Sequence, residues 1–353
     1  MIQQITIKKR AIGPKEPPFI VAEMSGNHNQ SLERALKLVY EAHRAGAHAI
    51  KLQTYTPETI TLKVKTGDFL IKDKKSLWYG KSLYELYEEA STPWKWHKPI
   101  YDYAKKLGII AFSTPFDHTA VDFLETLDTP CYKIASLEIV DHPLIEKVAK
   151  TKKPLILSTG AATLAEIDEA VQVAKNAGCK ELVLLKCTSA YPALPETMNL
   201  QTLPNLAANF SCPVGLSDHS PGIGVCIASI SLGAALIEKH LTLSRKDGGV
   251  DAAFSLEPAE FKMLVDECQR AFLAQGKVEY GMNPTEKTSH SLRRSLYFVK
   301  DIKKGELITE SHIRSVRPGF GLHPKYYQVV IGAKASSAIK KATPVSWDLI
   351  LGK

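Results

Sequence analysis

The stretch PLILSTGAATLAEIDEAVQVAKNAGCKELVLLKC, residues 154–187, contains two apolar runs separated by a helical pattern. The runs PLILST (154–159) and ELVLLKC (181–187) are rich in Leu, Ile and Val, as are strands of parallel sheets that are buried on both faces. Two parallel strands need a long crossover connection, which is usually a helix. The stretch therefore predicts one β-α-β unit.

The same alternation continues along most of the chain. Six further apolar runs have strand character: PFIVAE (18–23), AIKLQ (49–53), IIAFST (109–114), CYKIAS (131–136), VGLS (214–217) and ALIEKH (235–240). Helical patterns separate consecutive runs, and another follows the last near 257–273. Eight such units predict an α/β protein with a (β/α)₈ barrel. A doubly wound open sheet is the alternative, but no GxGxxG follows the first strand.

The composition narrows the class of protein. Hydrophobic residues make up 44% and charged residues 23%, and no apolar run approaches the ~20 residues of a membrane span. The N-terminus lacks the apolar segment of a secretory signal, and the six cysteines form no CxxC pair, so we expect buried thiols in the cytoplasm. The net charge of +8 is compatible with an anionic substrate, although a lysine-rich solvated surface is the simpler explanation. No basic run is dense enough to predict nucleic-acid binding, and no membrane partner is expected.

Polar side chains gather at the carboxyl ends of the predicted strands. They are Glu23, Lys51, Gln53, Ser113, Thr114, Lys133, Ser136, Ser158, Thr159, Lys186, Thr188, Ser189, Ser217, Asp218, His219, Glu238 and His240. A helix cap or a turn would explain any single one of them. In a barrel, however, all these ends meet at the C-terminal rim, where such barrels carry their active sites. The sequence therefore predicts one active site at that rim.

Two histidines indicate a metal site. His219 and His240 end the seventh and eighth strands, which are neighbours ~4.8 Å apart in the ring. Two imidazoles at that spacing reach one divalent ion and leave positions open for water and substrate. A lone histidine at a strand end is more often structural, but the neighbouring pair favours a metal. We expect Asp218 and Glu238 to fix the imidazole tautomers as outer partners.

Two lysines and one carboxyl group suggest how an anion is bound and used. Lys51 and Lys133 belong to strands two and four, and hydroxyl groups from the neighbouring strand ends surround them. This arrangement suits a phosphate together with a carboxylate. A Schiff-base lysine is the competing interpretation, and residue types alone leave both open. Glu23 ends the first strand as a general base, as a salt-bridge partner of a rim lysine, or as both.

The alternation stops near residue 274, and a second domain follows. QGKVEYGMNPTEKTSHS (275–291) is polar and predicts a linker between a barrel domain (1–274) and a small domain (292–353). In the small domain, DIKKGELITESHI (301–313) aligns with AIKKATPVSWDLI (338–350) at a period of 37, which predicts a pseudo-symmetric β-rich fold. Between the copies, Arg314 and Arg317 lie in a Pro/Gly loop. A surface loop is the simpler interpretation, and a loop that reaches over a barrel rim is the functional one.

Several segments together resemble the sialic acid synthase family. They are AEMSGNHNQSLERAL, GAHAIKLQTYT, FSTPFD, CYKIAS, ILSTG, KCTSAYP, GLSDHS, IEKHLTLSR, GGVDAAFSLEP and RSVRPGFGL, and they cover nearly the whole chain. The resemblance implies a TIM barrel followed by an antifreeze-like (SAF) domain, usually in a domain-swapped homodimer. It also implies the condensation of phosphoenolpyruvate with an N-acetylated amino-sugar aldehyde to give a nonulosonic acid. The cofactor it implies is a divalent metal: Mn²⁺, Mg²⁺ or Co²⁺.

The resemblance also assigns roles to residues of this sequence. His219 and His240 would bind the metal, and Glu23 would be the carboxylate of the chemical step. Phosphoenolpyruvate would be held by Lys51, Thr114, Lys133, Ser136, Ser158 and Ser217, with Ser189 at the position where the family more often has asparagine. Gln53, Tyr191 and Asp251 would line the sugar side, and Arg317 would reach the sugar in the barrel of a second copy. Lys186 stands where the family is usually not basic and receives no role.

Three segments resemble one branch of this family. They are NHNQSLERAL, LWYGKSLYELYEEASTPWKWH and GFGLHPKYY, and the acceptor that this branch implies is 2,4-diacetamido-2,4,6-trideoxy-L-altrose. Another branch, which makes N-acetylneuraminate or legionaminate, is the nearest alternative, and a lysine-dependent aldolase is the second. A carbohydrate-binding or scaffold barrel without chemistry is the alternative from a different class. The presence of Glu23, Lys133 and both rim histidines argues against that last alternative.

Overall fold

The chain folds into two compact units. The structure is a computed structural model that describes residues 4–351. The first unit extends to Gly276, and the second begins at Lys277. The finer division into residues 1–274, 275–291 and 292–353 stays a prediction.

A short hairpin precedes the barrel. Strand β1 (Ile5–Ile7) pairs antiparallel with β2 (Arg10–Ile12). Ile5, Ile7 and Ile12 are buried and belong to the same apolar cluster as interior residues of the barrel such as Phe19 and Phe112. Burial of these side chains favours the hairpin because it removes apolar surface from water. This hairpin is not predicted from the sequence pattern.

Eight parallel strands form a closed barrel. They are β3 (Phe19–Glu23), β4 (Ala49–Thr54), β5 (Ile110–Pro115), β6 (Tyr132–Ile134), β7 (Leu155–Ser158), β8 (Leu182–Cys187), β9 (Val214–Asp218) and β10 (Ala234–His240). Each strand pairs with the next along the chain, and β10 pairs with β3 to close the ring. The predicted barrel is confirmed, and the strand limits differ from the prediction by two residues at most.

Helices alternate with the barrel strands. In chain order they are α1 (Leu32–Ala45), α2 (Pro57–Ile60), α3 (Leu83–Ala90), α4 (Trp94–Leu107), α5 (His118–Glu125), α6 (His142–Lys150), α7 (Leu164–Asn176), α8 (Thr202–Phe210), α9 (Gly224–Ser231) and α10 (Pro258–Gln275). Their buried faces and the outward side chains of the strands form the largest apolar cluster. None of the helices within residues 4–351 is long and apolar enough to cross a membrane.

Helix α1 illustrates how the sequence sets these elements. The hydroxyl of Ser31 accepts a hydrogen bond from the amide of Arg34 and so caps the start of the helix. Leu38, Val39 and Ala42 recur at helical spacing and are buried. The helix ends at Gly46, whose φ of 86° is a left-handed conformation that glycine adopts without strain.

An insertion separates β4 from α4, and it contains α2 and α3. Helix α3 begins with a capping box, in which Ser82 and Glu85 satisfy each other's backbone amides. Tyr84 and Leu86 are buried on its inner face. No helix is predicted from the sequence of this stretch, so α3 is an addition to the predicted fold.

The second unit contains two similar halves. Its elements are α11 (Lys287–Ser291), α12 (Tyr327–Val330), and the antiparallel pairs β11 (Ser295–Phe298) with β12 (Ile313–Val316) and β13 (Lys334–Ala335) with β14 (Ile350–Leu351). Ile302 and Ile339, which occupy equivalent places in the 37-residue repeat, exchange backbone hydrogen bonds of 3.0 and 2.9 Å. The repeat therefore corresponds to two halves that pair with each other across their equivalent residues.

Candidate active site

A cavity of about 320 Å³ lies at the carboxyl ends of the barrel strands. Its walls include these predicted site residues: Glu23, Lys51, Gln53, Lys133, Ser136, Ser158, Tyr191, Ser217, His219, His240 and Asp251. Thr114 lies beside Lys51, and Ser189 is half-buried beside Gly160. Arg317 is an exposed residue of the second unit.

Four buried charges form the floor of this cavity. Lys51 Nζ lies 2.8 Å from Glu23 Oε2 and 3.2 Å from Glu238 Oε1. Lys133 Nζ lies 3.5 Å from the same oxygen of Glu238. None of these side chains is more than 5% exposed. Two ammonium groups and two carboxyl groups thus share one solvent-excluded cluster, in which each charge depends on its neighbours.

The cluster separates the pKa values of its members. Burial raises the pKa of Glu23, against the opposing effect of Lys51. Burial acts in the same direction on Glu238, but Lys133 and Lys51 outweigh it and hold the pKa of Glu238 below its usual range. Burial lowers the pKa of Lys133, whereas Glu23 and Glu238 overcome burial and raise the pKa of Lys51. Glu23 is therefore the carboxyl group best suited to take up a proton.

Glu23 is held in one orientation. Its Oε1 accepts hydrogen bonds from the backbone amide of Ser25 and from Gln53 Nε2, both at 3.1 Å. Gln53 also donates to Ser25 Oγ at 3.2 Å, and Ser25 Oγ donates to Asp251. The network joins the floor of the cavity to Gln53 and Asp251, two of the residues expected on the sugar side.

A glycine leaves room between two hydroxyl groups. The amide of Gly160 donates to Ser136 Oγ at 3.1 Å. A Cβ at Gly160 would lie 2.3 Å from Ser189 Oγ and 2.7 Å from Ser136 Oγ, so any larger residue would displace these groups. Ser158 Oγ is buried nearby on the cavity wall and has no hydrogen-bond partner among the described residues. We call Gly160 and the three serines around it, Ser136, Ser158 and Ser189, the Gly160 cradle. The hydroxyl groups of these serines can donate hydrogen bonds to an anion.

The two histidines lie next to each other on one wall of the cavity. Their ring centroids are 5.3 Å apart. His219 Nδ1 donates to the carbonyl of Thr188 at 3.1 Å, which leaves the lone pair on Nε2. His240 Nδ1 is buried and has no hydrogen-bond partner within residues 4–351, and burial lowers the pKa of His240 well below its usual value. The tyrosine ring of Tyr191 lies 4.4 Å from that of His219.

This arrangement fits a pair of metal ligands. A neutral imidazole with a free lone pair is the form that coordinates a divalent ion. Burial holds His240 in that form, whereas at His219 the contact with Cys187 outweighs burial and raises the pKa, so a metal bound there would displace a proton from His219. No group of three or more His, Cys, Asp or Glu side chains is arranged to hold a metal in the part of the chain that the structure describes. With two protein ligands, the remaining positions would belong to water or substrate, as a Lewis-acid site requires.

The expected roles of Asp218 and Glu238 are wrong. Asp218 Oδ2 pairs with Lys239 Nζ at 2.6 Å, outside the cavity, and Glu238 pairs with the two lysines of the floor. The reason is the alternation of a strand, which sends Ser217 and Glu238 inward and the next residues outward. The carbonyl of Thr188 fixes the tautomer of His219 instead.

Sequence reasoning missed several residues that line the cavity, among them Glu138 and Trp78. Glu138 follows Ser136 in a short 3₁₀ turn, and burial raises its pKa to about 7. Its position two residues after Ser136 was the available signal. Trp78 comes from the insertion, where its Nε1 donates to the carbonyl of Val250 at 3.0 Å and its ring lies 5.7 Å from that of Tyr191. The apolar wall around it contains Tyr55, Ile60, Leu86, Tyr87, Phe116, Leu137 and Val250.

Chemical groups of this kind at the carboxyl end of a (β/α)₈ barrel place the protein among the barrel enzymes. More particularly, the chain belongs to the NeuB family, whose sequence model matches residues 38–280. A SAF domain matches residues 293–351. The predicted family and the predicted combination of a barrel with an antifreeze-like domain are therefore confirmed.

Named relatives are similar along almost the whole chain. Pseudaminic acid synthase of Helicobacter pylori is 44% identical over 94% of this chain and 98% of its own. Pseudaminic acid synthase of Campylobacter jejuni is 46% identical over 91% of this chain and 93% of its own. N,N'-diacetyllegionaminic acid synthase of Campylobacter jejuni is 36% identical over 92% of this chain and 97% of its own. The crystal structure of N-acetylneuraminic acid synthetase from Leptospira borgpetersenii matches with a TM-score of 0.72 and 32% identity, over 82% of this chain and 95% of that one.

Proposed function

We propose that the protein is a pseudaminic acid synthase. It condenses phosphoenolpyruvate with 2,4-diacetamido-2,4,6-trideoxy-L-altrose and releases phosphate. The observation that carries this proposal is the presence, in one cavity, of the Gly160 cradle beside two lysines and of two histidine rings whose centroids are 5.3 Å apart. The choice of acceptor is supported by the higher identity to relatives with that activity than to the legionaminic acid synthase.

The donor occupies the polar half of the cavity. Lys51 and Lys133 neutralise its phosphate and carboxylate, and Thr114 and Ser217 supply hydroxyl groups next to these lysines. The Gly160 cradle completes the anion site because Gly160 places no side chain between its hydroxyl groups, and because Ser158 Oγ is buried without a partner among the described residues. Binding in this pocket fixes the vinyl carbon of the donor relative to the acceptor.

The acceptor aldehyde lies toward the histidines. His219 and His240 hold a divalent metal, Mn²⁺, Mg²⁺ or Co²⁺, which when bound supplies a Lewis acid for the aldehyde oxygen. Gln53, Tyr191 and Asp251 orient the open-chain sugar. The apolar wall around Trp78 suits the methyl groups of the two acetamido substituents and of the 6-deoxy position.

Glu23 acts on the water of the second half of the reaction. Carbon C3 of the donor bonds to the aldehyde carbon as the aldehyde π pair moves onto its oxygen, which leaves positive charge at C2. A water molecule adds at C2 and one of its protons passes to the Glu23 carboxylate, which returns it to the former aldehyde oxygen to give a hydroxyl group. The tetrahedral intermediate then collapses to the ketone as the bond from C2 to the phosphate oxygen breaks, and the remaining hydroxyl proton leaves with the phosphate. Ser25 and Gln53 hold Glu23 in place for this transfer, and the raised pKa makes it an effective acceptor.

We also propose a homodimer with exchanged C-terminal domains, in which Arg317 of each copy reaches the sugar in the other barrel. The exposure of Arg317 and the match to a SAF domain support this arrangement. A cytoplasmic location is supported by six cysteines that are all buried and free. Deletion of residues 285–353 is expected to abolish turnover, and an active monomeric truncation would contradict the role of Arg317.

The test is mass spectrometry of the product formed from phosphoenolpyruvate and a panel of acceptors. The panel contains the diacetamido-trideoxy-altrose, its mannose-configured isomer and N-acetylmannosamine, each with Mn²⁺ or with EDTA. A metal-dependent nine-carbon acid from the altrose sugar alone is the expected result. Turnover with another acceptor only would keep the mechanism and replace the acceptor. A borohydride-trapped adduct on Lys133 would instead establish a Schiff base.

A further inference from the structure

A buried ion pair lies behind the wall that carries the two histidines. Lys239 Nζ is 2.6 Å from Asp218 Oδ2, and both side chains are 0% exposed. The two residues are direct neighbours across β9 and β10. Each immediately precedes one histidine of the cavity, so the pair links the backbone before His219 to the backbone before His240.

The ammonium group of Lys239 also reaches beyond His219. It donates to the carbonyl of Ser220, and the amide of Ser220 donates to Asp218 Oδ1 at 2.9 Å. Both chain neighbours of His219 are therefore bound to one lysine, which itself precedes His240. Strand β9 ends at Asp218. The contacts of Lys239 with Asp218 and Ser220 therefore hold the chain around His219 just beyond the last backbone hydrogen bonds of the strand.

Stability alone is a poor explanation for such a pair. Removal of two charges from water is costly, and an apolar pair of similar volume is often as stable as a buried ion pair. The only other side chain among residues 4–351 that donates a hydrogen bond to the Asp218 carboxylate is Cys226, whose thiol lies at 3.1 Å. The directed contacts on both sides of His219 instead favour a geometric role, since buried ionic groups often fix one arrangement of a backbone.

We propose that Asp218 and Lys239 are positioning residues that set the separation of the His219 and His240 imidazoles for metal binding. The inference rests on the metal site of the proposed function. Neither residue faces the cavity, so the pair acts only through the histidines it holds. Without it, the segment from His219 to Ser220 keeps the bond from His219 Nδ1 to Thr188 but loses its link to β10.

The test compares metal affinity with thermal stability in the full-length protein. Lys239→Met alone leaves a buried carboxylate unpaired, so the main variant combines Asp218→Asn with Lys239→Met and removes both charges at nearly constant volume. Mn²⁺ affinity is measured by titration calorimetry and by electron paramagnetic resonance in the absence of substrates. We expect a 10- to 100-fold weaker Mn²⁺ affinity, the usual effect of losing an outer-shell partner.

The matched control is Val148→Ala. Val148 is fully buried in α6, which follows β6 on the side of the barrel opposite β10, and its truncation lowers stability without touching the histidines. We expect a lower melting temperature but unchanged Mn²⁺ affinity for this control. The inference also predicts that kcat at saturating Mn²⁺ falls in the double variant while the Michaelis constant for the donor stays constant.

Each result has one meaning. If the double variant loses stability but binds Mn²⁺ as tightly as the unmodified protein, the positioning role is refuted and the proposed function stands. If the unmodified protein binds no divalent metal, the metal site and this inference both fail. Weaker Mn²⁺ binding by the double variant, with normal affinity in Val148→Ala, supports the inference whichever acceptor the enzyme uses.

Discussion

His240 lies directly opposite Glu23, where the last strand of the barrel pairs with the first. Closure of the ring therefore brings an imidazole and a carboxyl group from distant parts of the chain to adjoining places on one rim. Glu23 in turn binds Lys51, the first lysine of the cavity floor. The seam of the barrel is thus the place where the proposed metal-binding, acid-base and anion-binding groups meet.

Replacement of this carboxyl group gives the first prediction. In Glu23→Gln, the side chain keeps its shape and Lys51 keeps its contact with Glu238, so the fold is retained. The amide cannot accept the proton of the attacking water, and we expect kcat to fall by about 10²–10⁴. Phosphate release at saturating substrate measures the effect, with melting temperature as the check on folding. The surface variant Glu125→Gln is the control, and a kcat of Glu23→Gln within threefold of normal would exclude the role.

Gly160→Ala tests the anion site. The added methyl group meets Ser189 and Ser136, so we expect the Michaelis constant for phosphoenolpyruvate to rise at least tenfold, a cost of about 1.4 kcal/mol. Gly224→Ala is the matched control because, apart from its chain neighbours and the backbone of its own helix, no described residue lies within 4 Å of the added Cβ. Steady-state kinetics with each substrate varied in turn provides the measurement. If only the Michaelis constant for the acceptor rose, the result would indicate that the donor binds in another part of the cavity.

The barrel was predictable because each strand carries its own signal. Runs such as PLILST and ELVLLKC are buried on both faces, so nearly every residue in them is apolar. Such runs can be recognised in the sequence without knowing which strands lie beside them. The hairpin β1–β2 has only three residues in each strand, which is too short to display a periodicity. Helix α3 was missed for a related reason, since its eight residues lie inside a polar insertion.

The site was predictable to the extent that strand ends determine it. Residues that end strands, such as Glu23 and His240, reach the rim independently of the conformation of the loops. Asp218 was misassigned because its neighbours His219 and Ser217 face the cavity, whereas the alternation of the strand turns Asp218 outward. Trp78 could not be predicted, because its place depends on a contact with Val250 in a distant loop.

Trp78→Ala tests the apolar wall. The indole bridges the insertion to Val250 and packs on Tyr191, so its removal opens the side of the cavity assigned to the acceptor. We expect the Michaelis constant for the acceptor to rise about tenfold while that for phosphoenolpyruvate changes less than twofold. Tyr79→Ala is the control because Tyr79 is adjacent and 53% exposed. Equal effects on both substrates would indicate general loosening rather than acceptor recognition.

Glu138 predicts a pH dependence of donor binding. Its pKa of about 7 means that the side chain is mostly neutral below pH 7 and mostly negative above it. A negative charge on the wall next to Lys133 and Ser136 opposes the phosphate and carboxylate of the donor. We therefore expect phosphoenolpyruvate to bind more weakly as the pH rises from 6 to 8, and Glu138→Gln to bind it about fivefold more tightly than the unmodified protein at pH 8, a difference of ~1 kcal/mol.

Titration calorimetry without acceptor isolates this effect. Phosphoenolpyruvate changes its own ionisation over the same pH range, but that change is common to both proteins, so the ratio of their affinities reports Glu138 alone. The ratio should be near one at pH 6 and grow through pH 7. Glu146→Gln is the control, because a hydrogen bond from Lys150 holds the pKa of Glu146 below its usual range and leaves it ionised throughout. A ratio that stays constant from pH 6 to pH 8 would show that Glu138 does not titrate beside the donor.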